Sequence, residues 1–595
     1  MSKIQKLELT WVGKNEQEEI EPRILVENPE LSHIYETAAS GQVKMINDDG
    51  TFDNMLIHGD NLLALKALEQ DFAGQIKCIY IDPPYNTGSA FEHYDDNLEH
   101  SIWLDLMKKR LEILKNLLKP EGTIFIQIDD TEQAYLKVLC DEVFGRNNYI
   151  NMVSVNAKVS AGASGGGEDK RLKKNIEYIL IYTKSFENFV PFKPVYKYTE
   201  LMNYISKMKE DEKSFKYTSV LYKCEDRTYF KTIQDGAGDD IVIEKVNNYE
   251  IKSIKQVAEL ENISIEQAYN KYYDKVMTTT NAQTSIRTRV WEATDSENNM
   301  YIATYVPKTG KDKGKSKELI FMGKQKVLVI WLRDTAEINK GKIYKKEKVG
   351  TFWDGFSWIN VTKEGSVLFP NGKKPETLIE QILNMATEEG ELVLDSFLGS
   401  GTTCAVAHKM KRRWIGIELG EHAYTHCKPR LDAVVNGEDL GGITKAVNWQ
   451  GGGSYRFYEL APSLVVKDKY GKEIINPEYN ANMLAAAMAK HEGFKYSPDK
   501  ENVYKQGYAS EKSFIFTTTT HLTAEYLDEI AGHFADDEFL VINCKSFDGN
   551  ISNNYKNIKI KKIPQSILGK CVFGKDNYNL NIINLPTEEE TDEEN

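Results

Sequence analysis

From Asn54 onward the apolar positions follow two alternating repeats. Short apolar runs bounded by turn residues, "MLIHGD", "IKCIYID", "TIFIQID", "INMVSVN" and "EYILIYT", predict buried strands. Between them, "NLLALKALEQ" and "SIWLDLMKKRLEILKNLL" place apolar residues three and four apart and predict helices, with another expected over about 131–144. "KPEG" predicts a turn between helix and strand. The alternation resumes near Pro375 with the helix "PETLIEQILNMAT", the strand "LVLD", the helix "TTCAVAHKM" and the strand "RWIGIEL". Strands alternating with helices predict an α/β fold, a doubly wound parallel sheet of Rossmann type.

Between these stretches the periodicity breaks up, and Tyr and Lys become frequent. An inserted α+β domain is expected over 186–350. It divides an N-terminal segment (1–52) and one half of the core (53–185) from the other half (351–440). "NGEDLGGITKAVNWQGGGS" reads as a linker, 455–585 as a C-terminal α+β module, and 586–595 as an acidic tail. The glycine-rich "SAGASGGGEDK" is expected to be a mobile loop.

A chain of 595 residues exceeds a single core, and 28% charged residues is ordinary for a globular protein. No apolar run approaches membrane-spanning length and the N-terminus has no secretory apolar stretch, so no membrane partner and a cytoplasmic location are expected. The seven cysteines lack zinc-ligand spacing, so free thiols and no metal site are expected. A net charge of -14 argues against nucleic acid, but the charge is uneven. Between Lys308 and Lys348 there are 13 Lys or Arg against five acids, a solvated loop unless neighbouring sites imply DNA.

Two stretches carry chemistry. "LVLDSFLGSGTT" is a strand, a Gly-x-Gly turn and a helix start, and Glu418 ends the next strand 19 residues after Gly399. An acid there suits the hydroxyls of a ribose. Cys404 replaces the third glycine of a dinucleotide fingerprint, and Asp395 repels phosphate while attracting a cation such as the ammonium of S-adenosylmethionine. In "CIYIDPPYNTG" a buried strand runs into Asp82-Pro83-Pro84-Tyr85. An exocyclic amine is a weak nucleophile because its lone pair is delocalised into the ring. Asp82 offers it a carboxylate, Pro83 a carbonyl held rigidly by Pro84, and Tyr85 a face for a flipped base.

With these motifs in this order, the chain resembles S-adenosylmethionine-dependent amino-DNA methyltransferases of the permuted beta class. "LIHGDNLLALKAL", "NIEYILIYTK" and "FPNGKKPETLIEQIL" bring it close to the modification (Mod) subunits of type III restriction–modification systems. The resemblance implies that Asp60, Lys374, Asp395, Phe397, Gly399, Ser400, Gly401, Thr402 and Glu418 bind the cofactor, with Lys374 and Pro375 near its methionine end and Asp60 near its adenine. It implies that Asp82, Pro83, Pro84 and Tyr85 hold the target base, the aspartate favouring adenine N6 over cytosine N4. The insert then stands where the family keeps target recognition, with Arg287 and Arg289 as candidate contacts to DNA. A homodimer and a helicase–nuclease (Res) partner are also implied. "GKDKGKS" (310–316) falls one residue short of an ATPase loop, so that partner is a separate chain. The alternatives are a solitary methyltransferase, one acting on cytosine N4, on RNA or on protein, and a non-catalytic DNA-recognition subunit.

Overall fold

Eight of the eleven strands of one sheet make up the body on which the candidate residues sit: β1 (Asn54–His58), β2 (Ile76–Ile81), β3 (Leu118–Ile128), β4 (Tyr149–Asn156), β5 (Ile176–Thr183), β6 (Leu392–Asp395), β7 (Arg413–Glu418) and β8 (Ser454–Leu460). The computed structural model describes residues 8–34, 54–86, 96–157 and 174–573, apart from 12–13, 16–18, 237, 283, 309–312, 359–360, 370–372, 550, 552, 569 and 572. The glycine-rich loop after β4 and the acidic tail lie outside the described residues.

The order across the sheet is β8-β1-β7-β6-β2-β3-β5-β4, with Leu25–Glu27 and Phe352–Trp353 as short edge strands. From β8 to β3 neighbouring strands run parallel, whereas β5 is antiparallel to β3 and β4 to β5. This is the doubly wound α/β class. Helix α1 (Asn61–Phe72) starts at Asp60, whose Oδ1 accepts the N–H groups of Leu62 and Leu63 at 2.8 and 3.1 Å. Helix α2 (Asp96–Leu117) buries Trp103, Met107, Leu111 and Leu114 against the sheet, a stripe at helical spacing. Each such side chain contributes roughly 1.5–3 kcal/mol. α2 runs directly into β3, and the expected "KPEG" turn is a bulge inside that strand. Pro120 lacks a ladder donor, and the bulge accommodates it.

The polypeptide divides into two units, Pro194–Val349 and the remainder. Residues 186–193, expected in the insert, pack on the core instead, where Phe192 lies 5.6 Å from Phe125 and the Lys193 N–H bonds to Met385 O. The smaller unit is a closed six-stranded barrel with a three-stranded sheet (196–200, 336–339, 342–348) and helices at 201–210, 254–261, 265–271 and 285–293. Two of its basic residues serve its interior. Arg287 is buried and donates to Lys326 O and Gln325 O at 3.0 and 2.6 Å. Lys326 is fully buried, with its ammonium on Glu297 O at 2.8 Å. Arg289 lies at the surface and donates to Gln234 O. Arg287 is therefore a structural residue, not the DNA contact expected from its charge.

The expected C-terminal module does not stand apart from the core. Its first strand, β8, pairs with β1, and its five-stranded sheet (495–562) belongs to the larger unit. The N-terminal segment contributes the strand Leu25–Glu27, and buried Glu21 accepts the Leu464 N–H and the Ser463 hydroxyl. The expected linker is also part of the core, since Asp439 and Ile443 are buried. Its glycines serve close packing. A Cβ on Gly442 (φ +53°) would lie 2.0 Å from the Glu376 carboxylate.

That carboxylate ties three helices together. Glu376 begins α3 (Glu376–Ala386), Lys409 ends α4 (Thr402–Lys409), and Arg430 lies in α5 (Lys428–Asn436). Glu376 accepts from Lys409 Nζ at 2.8 and 3.0 Å, from Arg430 Nη2 at 2.8 Å and from the Ile443 N–H at 3.0 Å. Asp439 lies 2.7 Å from Lys409, and none of the four charged side chains is more than 1% exposed. Removing one member leaves unpaired charge in the interior. Glu376→Ala is expected to cost roughly 3–5 kcal/mol in urea unfolding; a loss below about 1 kcal/mol would show that the cluster is not a brace.

Candidate active site

α4 carries the chain from β6 to β7 on one side, and α2 carries it from β2 to β3 on the other. The crossovers diverge between β6 and β2, so a crevice opens beyond the carboxyl ends of these neighbouring strands. A cavity of about 360 Å³ lies there. Its walls include Asn61, Asp82, Pro83, Pro84, Tyr85, Phe369, Lys374, Asp395 to Ser400, Thr402, Thr403 and Glu418.

Asp82 follows the last residue of β2. The Trp103 indole, buried in α2, donates to Pro84 O at 2.7 Å and pins the two prolines. The Tyr85 hydroxyl, with one proton to give, lies within hydrogen-bond distance of Asp82 Oδ1 at 2.8 Å and Glu177 Oε2 at 3.1 Å. Lys374 Nζ lies 2.7 Å from Asp82 Oδ2 and 3.7 Å from Glu177 Oε2. Burial raises the Asp82 pKa above the ordinary carboxylate range, and Glu177 adds to this against the opposing pull of Lys374. Burial works against the charge of Lys374, but the two carboxylates outweigh it and hold the ammonium protonated. Lys374 thus meets the Asp-Pro-Pro-Tyr loop, with its ammonium 5.3 Å from the Tyr85 ring centre. Its only assigned neighbourhood from sequence was the methionine end of a cofactor.

On the β6 side, Asp395 Oδ1 accepts the Phe397 N–H at 2.9 Å and Oδ2 accepts the Thr403 hydroxyl at 2.6 Å. Burial pushes its pKa up to about 7, and the charges of Asp82 and Glu418 add to the effect. Gly399, at φ +58°, turns its N–H onto Glu418 Oε2 at 2.7 Å, and the Gly420 N–H reaches Oε1 at 3.1 Å. Burial raises the Glu418 pKa, while these backbone donors lower it. Gly401, at φ +80°, caps α4, and a Cβ there would lie 3.3 Å from Cys427 Cα. It shapes the loop from behind and is not part of the cavity wall. Arg430 Nη1 supports the same loop, donating to Thr402 Oγ1 at 2.7 Å and Ser400 O at 3.3 Å.

Asp60 also lies outside the wall. Its side chain caps α1, and the next residue, Asn61, reaches the cavity and donates to Ser396 O at 2.7 Å. Sequence reasoning missed Asn61, Thr403, Phe369 and Glu177. Glu177 had a detectable signal, being an acid in the apolar run "IEYILIYT". Gln127 in β3 is a similar polar interruption, and it hydrogen-bonds to both Tyr80 and Glu177. The donor set fits a zwitterionic, hydroxyl-bearing ligand. Among the described residues Asp395 accepts from the Phe397 N–H and the Thr403 hydroxyl and pairs with no cation, and the buried Ser396 hydroxyl has no hydrogen-bond partner. Among those residues no group of three or more His, Cys, Asp or Glu is placed to hold a metal ion, and no helix is long and apolar enough to cross a membrane.

Residues 76–428 match the family described as DNA methylase. The chain is 43% identical over 434 residues to the probable type III restriction-modification enzyme HindVI Mod subunit of Haemophilus influenzae, covering 71% of this chain and 56% of the relative. It is 24% identical to the EcoP15I Mod subunit of Escherichia coli, over 94% of this chain and 89% of that protein. It is 26% identical to the StyLTI Mod subunit of Salmonella typhimurium, over 59% and 49%. The chain thus spans about half the length of the first and third relatives and most of the second.

Asp395 also sets a pH dependence of stability. Its folded pKa of about 7 lies above the unfolded value near 3.9, so folding favours the protonated form. Its contribution is fully present below about pH 4 and is lost as pH rises through about 7. Relative to Asp395→Asn, the unliganded wild type is expected to lose roughly 3–4 kcal/mol across that window. Parallel stability–pH curves for the two proteins would refute this.

Proposed function

The chain belongs to the DNA methylase family, and we propose that it methylates the N6 amino group of adenine in DNA as the modification subunit of a type III restriction–modification system. The observation that carries this reading is the meeting of Asp82 and Asp395 at the tips of paired parallel strands in one cavity. S-adenosylmethionine, when bound, supplies a methyl group activated on a sulfonium. Ionised Asp395 suits its ammonium, and Glu418, fixed by two backbone N–H groups, accepts from ribose hydroxyls. Phe397, Gly399, Ser400 and Thr402 complete that wall.

Asp82 and the Pro83 carbonyl accept hydrogen bonds from the target amine and turn its lone pair toward the methyl donor. Tyr85 offers a face to the base. A base stacked in a duplex is out of reach of this loop, so the target is a flipped nucleotide. Rigid placement does most of the work here. The aspartate of the motif supports adenine over cytosine. The insert, 194–349, is the part proposed to read the DNA sequence. As partners we propose, from the family resemblance, a second copy of this chain and a helicase–nuclease subunit; that the relatives are named as subunits of restriction-modification enzymes supports a partner chain.

Asp82→Ala is expected to reduce transfer of labelled methyl groups to DNA by about 10²-fold or more, with S-adenosylmethionine affinity largely kept. Turnover near wild type would remove the loop from the active site. Light scattering of the chain alone should give twice the mass of one chain, and a monomer methylating DNA at full rate would refute the dimer.

A further inference from the structure

Asp82 is crowded before any base arrives. One oxygen accepts from Tyr85 and the other meets the Lys374 ammonium. A carboxylate paired one-to-one with a buried ammonium is close to neutral for its surroundings, and a neutralised acceptor polarises an amine weakly. Glu177 changes this balance. Its Oε2 competes with Asp82 for the single Tyr85 hydroxyl proton, at 3.1 Å from that oxygen, and lies 3.7 Å from Lys374 Nζ. It is held from behind by the Gln127 amide, which is itself fixed by the Tyr80 hydroxyl. With both carboxylates ionised, the set of Asp82, Glu177 and Lys374 carries one net negative charge.

We propose that Glu177 is a positioning residue for methyl transfer: it shares the Lys374 ammonium and the Tyr85 hydroxyl with Asp82, leaving Asp82 its charge for the target amine. The inference rests on the function proposed above. Three features support it. Glu177 is only 15% exposed and Lys374 only 7%, so solvent does not screen the exchange of partners. Tyr85, buried between two carboxylates, has a pKa well above the ordinary phenol range and stays a donor. Gln127 can present its amide to Glu177 because Tyr80 satisfies its other end.

The titratable groups around Asp82 are Tyr80 on β2, Tyr85 in its own loop, Glu177 on β5, Asp395 on β6 and Lys374 before α3. Of these, Glu177 raises the Asp82 pKa and Lys374 lowers it. Removing the Glu177 charge therefore moves the acid limb of the rate profile to lower pH, while weakening the acceptor at the plateau. A purely structural defect would lower activity at all pH values without moving that limb.

The test uses the full chain, labelled S-adenosylmethionine and duplex DNA. Glu177→Gln is expected to lower kcat by about 10- to 100-fold, with cofactor affinity by calorimetry within about twofold of wild type. The acid limb of kcat should move down in pH, and Glu177→Asp should recover part of the rate. Tyr85→Phe combined with Glu177→Gln should lose less than the product of the two single effects, because both act through Asp82. Unchanged kcat in Glu177→Gln, or a loss with an unmoved acid limb, would overturn the assignment. If Glu177→Gln does not fold, Glu177→Asp with a wild-type profile would do the same. Absence of methyl transfer by the wild type would instead refute the proposed function.

Discussion

The glycine loop between β6 and α4 depends on a carboxylate that never reaches the cavity. Glu376 binds Lys409 and Arg430 in the interior, and Arg430 passes this support on to Ser400 and Thr402. The loop has two residues at positive φ, Gly399 and Gly401, so propensity alone does not fix its shape. Its geometry is imposed from below. An ion pair with so little exposure adds little net stability against an apolar substitute, but once built it permits one arrangement of the three helices. The cost of breaking it enforces that arrangement.

On this frame the two acids take opposite electrostatic roles. Asp395 sits among donors from its own loop and has a pKa near neutrality. Asp82 faces a lysine across the cavity and shares it with Glu177. The parallel pairing of β2 with β6 places both at one end of the sheet, where burial and then the charge of Asp82 raise the proton affinity of Asp395. A cation arriving between them relieves that repulsion. Lys374 already supplies such a cation to Asp82, whereas Asp395 has none among the described residues.

Much of this was legible in the sequence. Strands β1 to β7 and their helices follow from apolar periodicity: β2, β3 and β6 are almost wholly buried, and α2 turns one apolar stripe to the sheet. The two loops declared themselves through residues that make poor structure otherwise: Pro-Pro after a strand, and paired glycines before a helix. Partnership between distant side chains was not legible. Asp60 and Asn61 are adjacent, and only the direction of the helix start makes one a cap and the other part of the wall. Arg287 and Lys326 look like surface charge in one dimension, yet backbone carbonyls claim them in the barrel interior. The stretch after α5 is rich in turn residues and reads as a tether, whereas its glycines allow backbone to press against Glu376 and Gln450.

The smaller unit begins and ends side by side: the Val349 N–H bonds to Val195 O at 2.9 Å, and Lys348 pairs with Tyr196. A segment whose two ends meet behaves as a cassette. Such a cassette can be lengthened, shortened or exchanged by recombination at two neighbouring breakpoints without changing the register of β5 or of α3. The cavity residues all lie outside that segment, so its exchange replaces none of them.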